Sequence, residues 1–118
     1  MPVSPSESAT FRAVQSAIAA GLVRVSSHAL REAEADRLTL QEIESSTADG
    51  ECIEDYPTDP RGASCLVLGH LERGAAIHAL WGFDAPSLQA ILITVYIPDP
   101  QLWTADFRRR STRDDEAE

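Results

Sequence analysis

The spacing of apolar residues changes once along this chain, at the Asp49-Gly50 pair. Before the pair, apolar side chains recur every three or four residues, whereas after it they alternate with polar ones over several short runs. The first spacing is typical of helices that pack by one face, and the second is typical of half-buried strands. Helices followed by consecutive strands predict a single α+β domain, with helices packed on an antiparallel sheet.

Three helices are predicted in the first part of the chain, each starting at a residue whose side chain can accept a hydrogen bond from the first turn. Gly21 is placed to end the first helix in a left-handed conformation, and residues 22–25 after it are predicted to be extended. The predicted helix starts are residues 4–7, Ser26 or Ser27 for a helix over 28–36, and the capping box of Thr39 and Glu42.

Four strands are predicted over residues 51–56, 64–71, 75–83 and 88–97, since β-branched and aromatic residues alternate there between Pro and Gly breakers. Short turns between them favour a four-stranded antiparallel meander. Asp99-Pro100 then predicts a short C-terminal helix that carries Leu102, Trp103 and Phe107. The chain therefore divides into an N-terminal helix (1–21), an α+β domain (22–109) and an acidic flexible tail (110–118).

Alternation also assigns the two faces of the last predicted hairpin. The opposite face from the core would carry His78, Thr94 and Tyr96, with His78 beside Thr94 or across from Leu92. The residues assigned to the core face are Ile77, Ala79, Trp81 and Phe83 in the third strand and Ile91, Ile93, Val95 and Ile97 in the fourth.

The net charge of −9 is unevenly distributed along the chain. Ten carboxylates lie between Glu32 and Pro60 against the single Arg37. Because an acidic field repels phosphate, tight non-specific binding to nucleic acid is disfavoured. RNA as a ligand stays open, since residues 108–110 form a compact arginine cluster that suits phosphate, or that simply complements a helix dipole.

No segment predicts a membrane span or a secretory signal. The most apolar stretch, residues 76–97, contains His78 and Pro86, which are costly in hydrocarbon. The first residues lack a basic start followed by an apolar run. We therefore expect a soluble, cytoplasmic protein.

Cys52 and Cys65 form no CxxC pair and lie at no zinc-finger spacing from a histidine. They are predicted to be buried thiols in a reducing cytosol, with a disulfide between neighbouring strands left open. We predict no metal site and no cofactor.

Several strings of this sequence resemble domain-of-unknown-function family DUF4258. The resemblance covers about residues 22–109. Its strings are SHAL over 27–30, DRLTLQEI over 36–43, GECIEDYP over 50–57, SCLVLG over 64–69, His78, ITVY over 93–96, PDP over 98–100, Trp103 and FRR over 107–109.

The resemblance implies a compact bacterial toxin nuclease fold of the barnase, colicin and RelE-like type, together with an antitoxin-like protein partner. It also implies a site on the open face of a four-stranded sheet and on the preceding helix. The chain departs from many relatives at Glu32, where they carry a basic residue, and in its acidic charge. The polar residues at matching positions are His28, His78, Thr94 and Tyr96, with Arg108 or Arg109.

The leading hypothesis is a toxin-like, metal-independent endoribonuclease of a toxin–antitoxin pair. His28 and His78 would serve as acid and base, because histidine titrates near neutral pH. That chemistry requires both imidazoles to open onto one water-accessible hollow. The other predicted site residues are Thr94 and Tyr96, which would contact the scissile phosphate, and the substrate-binding Arg31, Arg108 and Arg109.

Each candidate residue also has a structural interpretation. His28 could cap its helix, and His78 could be a buried sheet histidine with satisfied hydrogen bonds. Thr94 could simply favour a strand, Tyr96 could cover a helix, and Arg31 could form an ion pair within its helix. The alternative function is a non-catalytic protein-interaction or regulatory domain, whose exposed sheet face and acidic helical face bind a protein partner.

Overall fold

The computed structural model describes residues 8–111, which form three helices and five strands. The predicted α+β class is confirmed. None of the helices in this range is long and apolar enough to cross a membrane. The helices are α1 (Ala9–Ala19), α2 (Ser27–Ala35) and α3 (Leu40–Ala48), and the strands are β1 (Val23–Val25), β2 (Glu51–Tyr56), β3 (Ser64–His70), β4 (Ala76–Asp84) and β5 (Gln89–Tyr96).

The five strands form one mixed sheet in the order β1-β5-β4-β3-β2. Strands β2 to β5 pair antiparallel in succession, whereas β1 pairs parallel with β5, from Val23 with Ala90 to Val25 with Leu92. The prediction of four antiparallel strands is therefore wrong. The extended segment was identifiable in the sequence, but three residues carry too little alternation to indicate a pairing partner.

The helix starts follow local side-chain chemistry. Ser26 and Thr39 cap α2 and α3 as predicted, and Thr39 forms the full capping box with Glu42. α1 starts after Ser8, whose hydroxyl accepts a hydrogen bond from the Phe11 amide at 3.0 Å. The start predicted at residues 4–7 lies outside the described residues. Gly21 follows α1 with φ +77°, a conformation that favours glycine.

An apolar core lies between the helices and one face of the sheet. Its members include Phe11 and Val14 of α1, Ile43 of α3 and the completely buried Trp81 of β4. Ile77 and Ala79 belong to the same core, so the predicted core face of β4 is confirmed for these residues. Burying such large side chains contributes about 1.5–3 kcal/mol each to stability.

Cys52 and Cys65 are free thiols in this core, on the neighbouring strands β2 and β3. The prediction of two buried thiols is confirmed for the folded chain. The hydrogen bond between the two side chains, together with burial, raises the pKa of Cys65.

A β-bulge changes the predicted faces of β5. Leu80 pairs with Thr94 and Trp81 pairs with Leu92, which leaves Ile93 as the extra residue. As a result Leu92 faces the core, whereas Ile93 is 36% exposed. The prediction that Ile91, Ile93, Val95 and Ile97 share the core face is therefore wrong, except for Val95.

Two glycines let α3 approach the sheet closely. A Cβ atom at Gly69 of β3 would lie 2.4 Å from the carbonyl oxygen of Ser46, and one at Gly50 would lie 2.7 Å from the same atom. Neither position can accept a side chain without displacing backbone. The close approach places Thr47 of α3 within hydrogen-bonding distance of Trp81.

Residues 98–111 form turns and irregular structure instead of the predicted C-terminal helix. We call them the C-terminal segment. Trp103 and Arg110 form an isolated antiparallel bridge, and Phe107 has φ +62°, which no right-handed helix contains. The prediction failed because contacts with the sheet, described below, outweigh the local preference of Asp99-Pro100.

Thr47 offers a direct test of core polarity. Its hydroxyl accepts the Trp81 indole N–H at 2.9 Å and donates to the Ile43 carbonyl at 2.9 Å. We expect Thr47→Val to lower the free energy of unfolding by about 1–3 kcal/mol, since it leaves a buried indole N–H without an acceptor. Urea denaturation measures the change. Thr47→Ser keeps the hydroxyl and should cost less, and equal losses in the two variants would contradict the explanation.

Candidate functional site

His78 lies at the centre of the face of β4 that points away from the helices, and it is completely buried. Its Nδ1 lies 3.2 Å from the Tyr96 hydroxyl, and its Nε2 lies 2.9 Å from the carbonyl oxygen of Phe107. Trp103 covers the imidazole edge-on, with ring centroids 4.3 Å apart. The C-terminal segment therefore closes this part of the sheet.

The partners of His78 fix its tautomer. A carbonyl oxygen can only accept a hydrogen bond, so Nε2 of His78 carries the proton and donates to Phe107. In the neutral ring Nδ1 is then an acceptor, and the Tyr96 hydroxyl donates to it. The result is a directed chain from hydroxyl to imidazole to carbonyl, which we call the Tyr96 relay.

Burial keeps both titratable members of the relay uncharged at neutral pH. It lowers the pKa of His78 below the ordinary value of 6.5, although the hydrogen bond to Phe107 opposes this. Burial also raises the pKa of Tyr96 above the ordinary value of 10, with smaller contributions from the nearby carboxylates of Glu54 and Glu32. At neutral pH the Tyr96 phenol therefore holds its proton, and His78 Nδ1 is the acceptor to which that proton points.

Phe107 presents its carbonyl from a strained backbone. Its φ of +62° lies in the left-handed region, which costs a residue with a side chain about 1–3 kcal/mol. The strain is sustained by the hydrogen bond from His78 and by a bond from the Phe107 amide to the Thr104 carbonyl at 2.8 Å. Strain of this kind is found where surrounding contacts impose a particular geometry.

A second polar cluster lies at the edge of β5, where Glu32 of α2 replaces a strand. β1 pairs with β5 only as far as Leu92. Beyond that point Glu32 Oε1 accepts hydrogen bonds from the Val95 amide at 3.0 Å and from the Thr94 hydroxyl. His28 Nε2 lies 3.3 Å from the same oxygen, and the His28 side chain is 61% exposed.

Glu32 was not among the predicted site residues, although a signal was present in the sequence. It lies four positions after His28, and residues at that spacing are neighbours on a helix surface. The contacts of Glu32 with Thr94 and Val95 could not be foreseen, because they depend on where β1 ends and on the bulge in β5.

The predicted arginines do not converge on the histidines. Arg108 pairs with Glu51 of β2 at 2.9 Å, and Arg109 and Arg31 are both exposed. Arg110, the first residue of the predicted acidic tail, lies over the Trp103 ring at 4.7 Å and pairs with Glu54 at 3.1 Å. Residues 112–118 of that tail lie outside the described residues.

The structure thus brings Thr94 to His28 through Glu32, and Tyr96 to His78 directly. The expectation that both imidazoles open onto one water-accessible hollow is wrong for His78, which is sealed beneath the C-terminal segment. Tyr96 instead lines an open depression of about 480 Å³ beside that segment. Over residues 8–111, no three His, Cys, Asp or Glu side chains are grouped so as to hold a metal ion.

His78 should make stability depend on pH. Because its pKa is lower in the folded protein than the ordinary 6.5, the unfolded chain binds the proton more readily. The free energy of unfolding should therefore fall as pH drops below about 6.5, and His78 should contribute nothing to pH dependence above it. Urea denaturation across this range measures the effect.

His78→Gln should flatten that part of the stability profile, because glutamine can still donate to Phe107 but does not titrate. His70 is exposed at the end of β3, so His70→Gln is the matched control and should leave the profile as in the wild type. An unchanged profile in His78→Gln would contradict the assignment.

Comparison with known proteins gives a family but no characterised relative. The model for the family described as "Domain of unknown function (DUF4258)" matches residues 25–97. No curated protein and no solved structure matches the chain. The matched range runs from the end of β1 through β5 and includes His28, Glu32, His78 and Tyr96. Since the match spans more than half of its residues, the chain belongs to the DUF4258 family.

Proposed function

We propose that this domain is a metal-independent endoribonuclease of the toxin-like type, in which Tyr96 rather than His78 meets the substrate. The observation that carries the proposal is the Tyr96 relay, in which the phenol donates to a neutral imidazole whose other nitrogen is held by a carbonyl. A hydroxyl backed by an imidazole can pass its proton inward while it takes another from a substrate. Tyr96 is half-buried and lines an open depression, and its hydroxyl is the end of this chain that the proposal assigns to the substrate.

The proposed reaction is an internal transfer within RNA. The ribose 2′-hydroxyl gives its proton to the Tyr96 oxygen as the Tyr96 proton passes to His78 Nδ1. The 2′-oxygen attacks the phosphorus, and the bond from phosphorus to the 5′-oxygen breaks. A cyclic 2′,3′-phosphate and a 5′-hydroxyl result. Positioned acid–base groups of this kind contribute about 10²–10⁴ to the rate.

His28 is the proposed donor to the leaving 5′-oxygen. It is the more exposed of the two imidazoles, and its contact with Glu32 leaves the other ring nitrogen for a ligand. Glu32 also bonds Thr94, which is two residues before Tyr96 on the same strand. This contact supports the proposal that His28 and Tyr96 serve one site.

The acidic surface sets the expected strength of RNA binding. At a net charge of −9 the long-range field repels a polyanion, so affinity must come from local contacts. Arg110 borders the same depression as Tyr96. We expect weak binding to long RNA and slow turnover, with little benefit from lowering the salt concentration.

The test compares cleavage of a labelled RNA by purified variants in the presence of a chelator. Tyr96→Phe removes one hydroxyl and should reduce the rate at least about 100-fold. The control for loss of a phenol hydroxyl is Tyr56→Phe; because Tyr56 bonds Glu54, the partner of Arg110, this variant should lose only a small part of the rate. His28→Ala should also be slow, whereas His70→Ala should retain the wild-type rate. Each variant is first shown to be fully folded at the assay temperature by its unfolding midpoint, which Tyr96→Phe should lower because it leaves Nδ1 of the buried His78 without a donor.

Growth arrest on expression of the wild type, relieved by Tyr96→Phe, would support the proposal in cells. A soluble wild type that neither arrests growth nor cleaves RNA would refute it. Equal rates for Tyr96→Phe and Tyr56→Phe would refute the relay as the source of catalysis.

A non-catalytic protein-interaction role is the second candidate, and one observation favours it. Leu80, Ile91 and Ile93 line a depression of about 380 Å³ at the other end of the sheet's outer face, around Gly82. Apolar side chains left at a surface often mark binding sites for proteins. The same expression test separates the two candidates, since a pure interaction domain leaves RNA intact.

A further inference from the structure

We propose that the depression beside Tyr96 is a subsite for a guanine base, with Asp99 as the residue that selects it. This inference rests on the proposed ribonuclease function and names the base that would lie next to the relay. The depression is lined by Tyr96, Ile97, Asp99, Leu102, Trp103, Arg110 and Ser111. Its volume of about 480 Å³ lies within the roughly 300–1,000 Å³ typical of ligand sites.

The walls of the depression suit a flat ring. Ile97 is 42% exposed and Leu102 is 53% exposed, and both line this depression, so its walls present apolar surface. Tyr96 and Trp103, two aromatic residues, line the same space. A base stacked among these side chains would remove apolar surface from water, and such stacking is tolerant of base identity. The walls therefore explain binding of a base but not a choice among bases.

Asp99 is the residue that would distinguish one base from another. One carboxylate oxygen accepts a hydrogen bond from the Gln101 amide at 2.8 Å, and the Leu102 amide bonds the Asp99 carbonyl at 2.9 Å. Together with Pro98, which is buried, these bonds hold the residue in one orientation. An ionised carboxylate only accepts hydrogen bonds, and it has lone pairs beyond the one that Gln101 uses.

Guanine matches such an acceptor best among the four RNA bases. Its Watson–Crick edge presents two adjacent donors, the ring N–H and the exocyclic amine, which can both meet one carboxylate. Adenine and cytosine present an amine next to an acceptor nitrogen, and uracil presents one N–H between two carbonyls. In each of these three, a lone pair would face the carboxylate of Asp99. Base edges read in this way give discrimination in single-stranded RNA.

Arg110 provides a contact for the phosphate of the bound nucleotide. Its Nε and one terminal nitrogen bond Glu54 at 3.1 Å each. A guanidinium has five N–H donors, so those on the remaining terminal nitrogen stay available. The side chain is 64% exposed, and its place over Trp103 fixes the guanidinium plane. The ion pair with Glu54 moderates its charge, which makes the base contact with Asp99 the larger source of selectivity.

The test is a titration of the full chain with each of the four nucleoside 5′-monophosphates. Binding is measured from the changes in NMR chemical shift of Ile97, Leu102 and the Trp103 indole. We expect the guanosine nucleotide to bind about five- to a hundredfold more tightly than the other three, the discrimination that one paired base contact gives. Asp99→Asn should abolish this preference, because an amide presents a donor beside its acceptor.

Asp36→Asn is the matched control. Asp36 is exposed at the end of α2, so its replacement removes the same charge without altering the depression. It should retain the guanine preference. Equal binding of all four nucleotides, shifts confined to other surfaces, or a preference that survives Asp99→Asn would each overturn the subsite.

The titration is independent of catalysis, so the two proposals can fail separately. Guanine-selective binding by a chain that cleaves no RNA would refute the ribonuclease and keep the subsite. Cleavage without preference for a guanine at the scissile position, together with unselective binding, would refute the subsite and keep the ribonuclease.

Discussion

The hydrogen bond from His78 to the Phe107 carbonyl joins the irregular end of the described chain to the centre of the sheet. A backbone carbonyl is a weak partner on its own, but here Trp103 covers the imidazole that bonds it, and ion pairs from Arg108 and Arg110 to β2 hold the same segment. Because the bond requires a proton on Nε2, it leaves Nδ1 to receive the Tyr96 hydroxyl. The closure of the sheet and the direction of the relay therefore have the same cause.

Throughout the described residues, 8–111, the polar side chains in the interior all have a hydrogen-bond partner. The Trp81 indole donates a hydrogen bond to Thr47, and the Thr94 hydroxyl and the Val95 amide both donate to Glu32. Each of these bonds links a helix to the sheet. Since an unpaired buried polar group costs about 1–3 kcal/mol, such links fix the positions of helices that apolar contacts alone would leave less defined.

Local chemistry in the sequence was sufficient for most of the secondary structure. The predictions that proved right are the caps at Ser26 and Thr39 and the core face of β4. Each depends on residues close together in the chain. The predicted faces of β5 were wrong, because the alternation of Ile, Leu and Val contains no signal for the bulge at Ile93. The helix predicted for the C-terminal segment does not form, because the contacts of Phe107 and Trp103 with His78 lie far apart in the chain and outweigh the local preference of Asp99-Pro100.

For the candidate site, residue types were predictable and their arrangement was not. His28, His78, Thr94 and Tyr96 could be identified from sequence as polar groups in suggestive positions. The sequence did not reveal that a carbonyl from Phe107 would cover one imidazole, or that Glu32 would hold the other. Both depend on contacts between residues far apart in the chain.

The parallel pairing of β1 with β5 has a consequence for the order of folding. Strands β2 to β5 each pair with a neighbour in sequence and can associate through short loops. Strand β1 can pair only when β5 is present, since Val23 pairs with Ala90. During synthesis on the ribosome β1 emerges before β2 to β5, yet its neighbour in the sheet exists only after β5 has been made. The strand of this sheet that is translated before the other four is thus among the last to reach its native position.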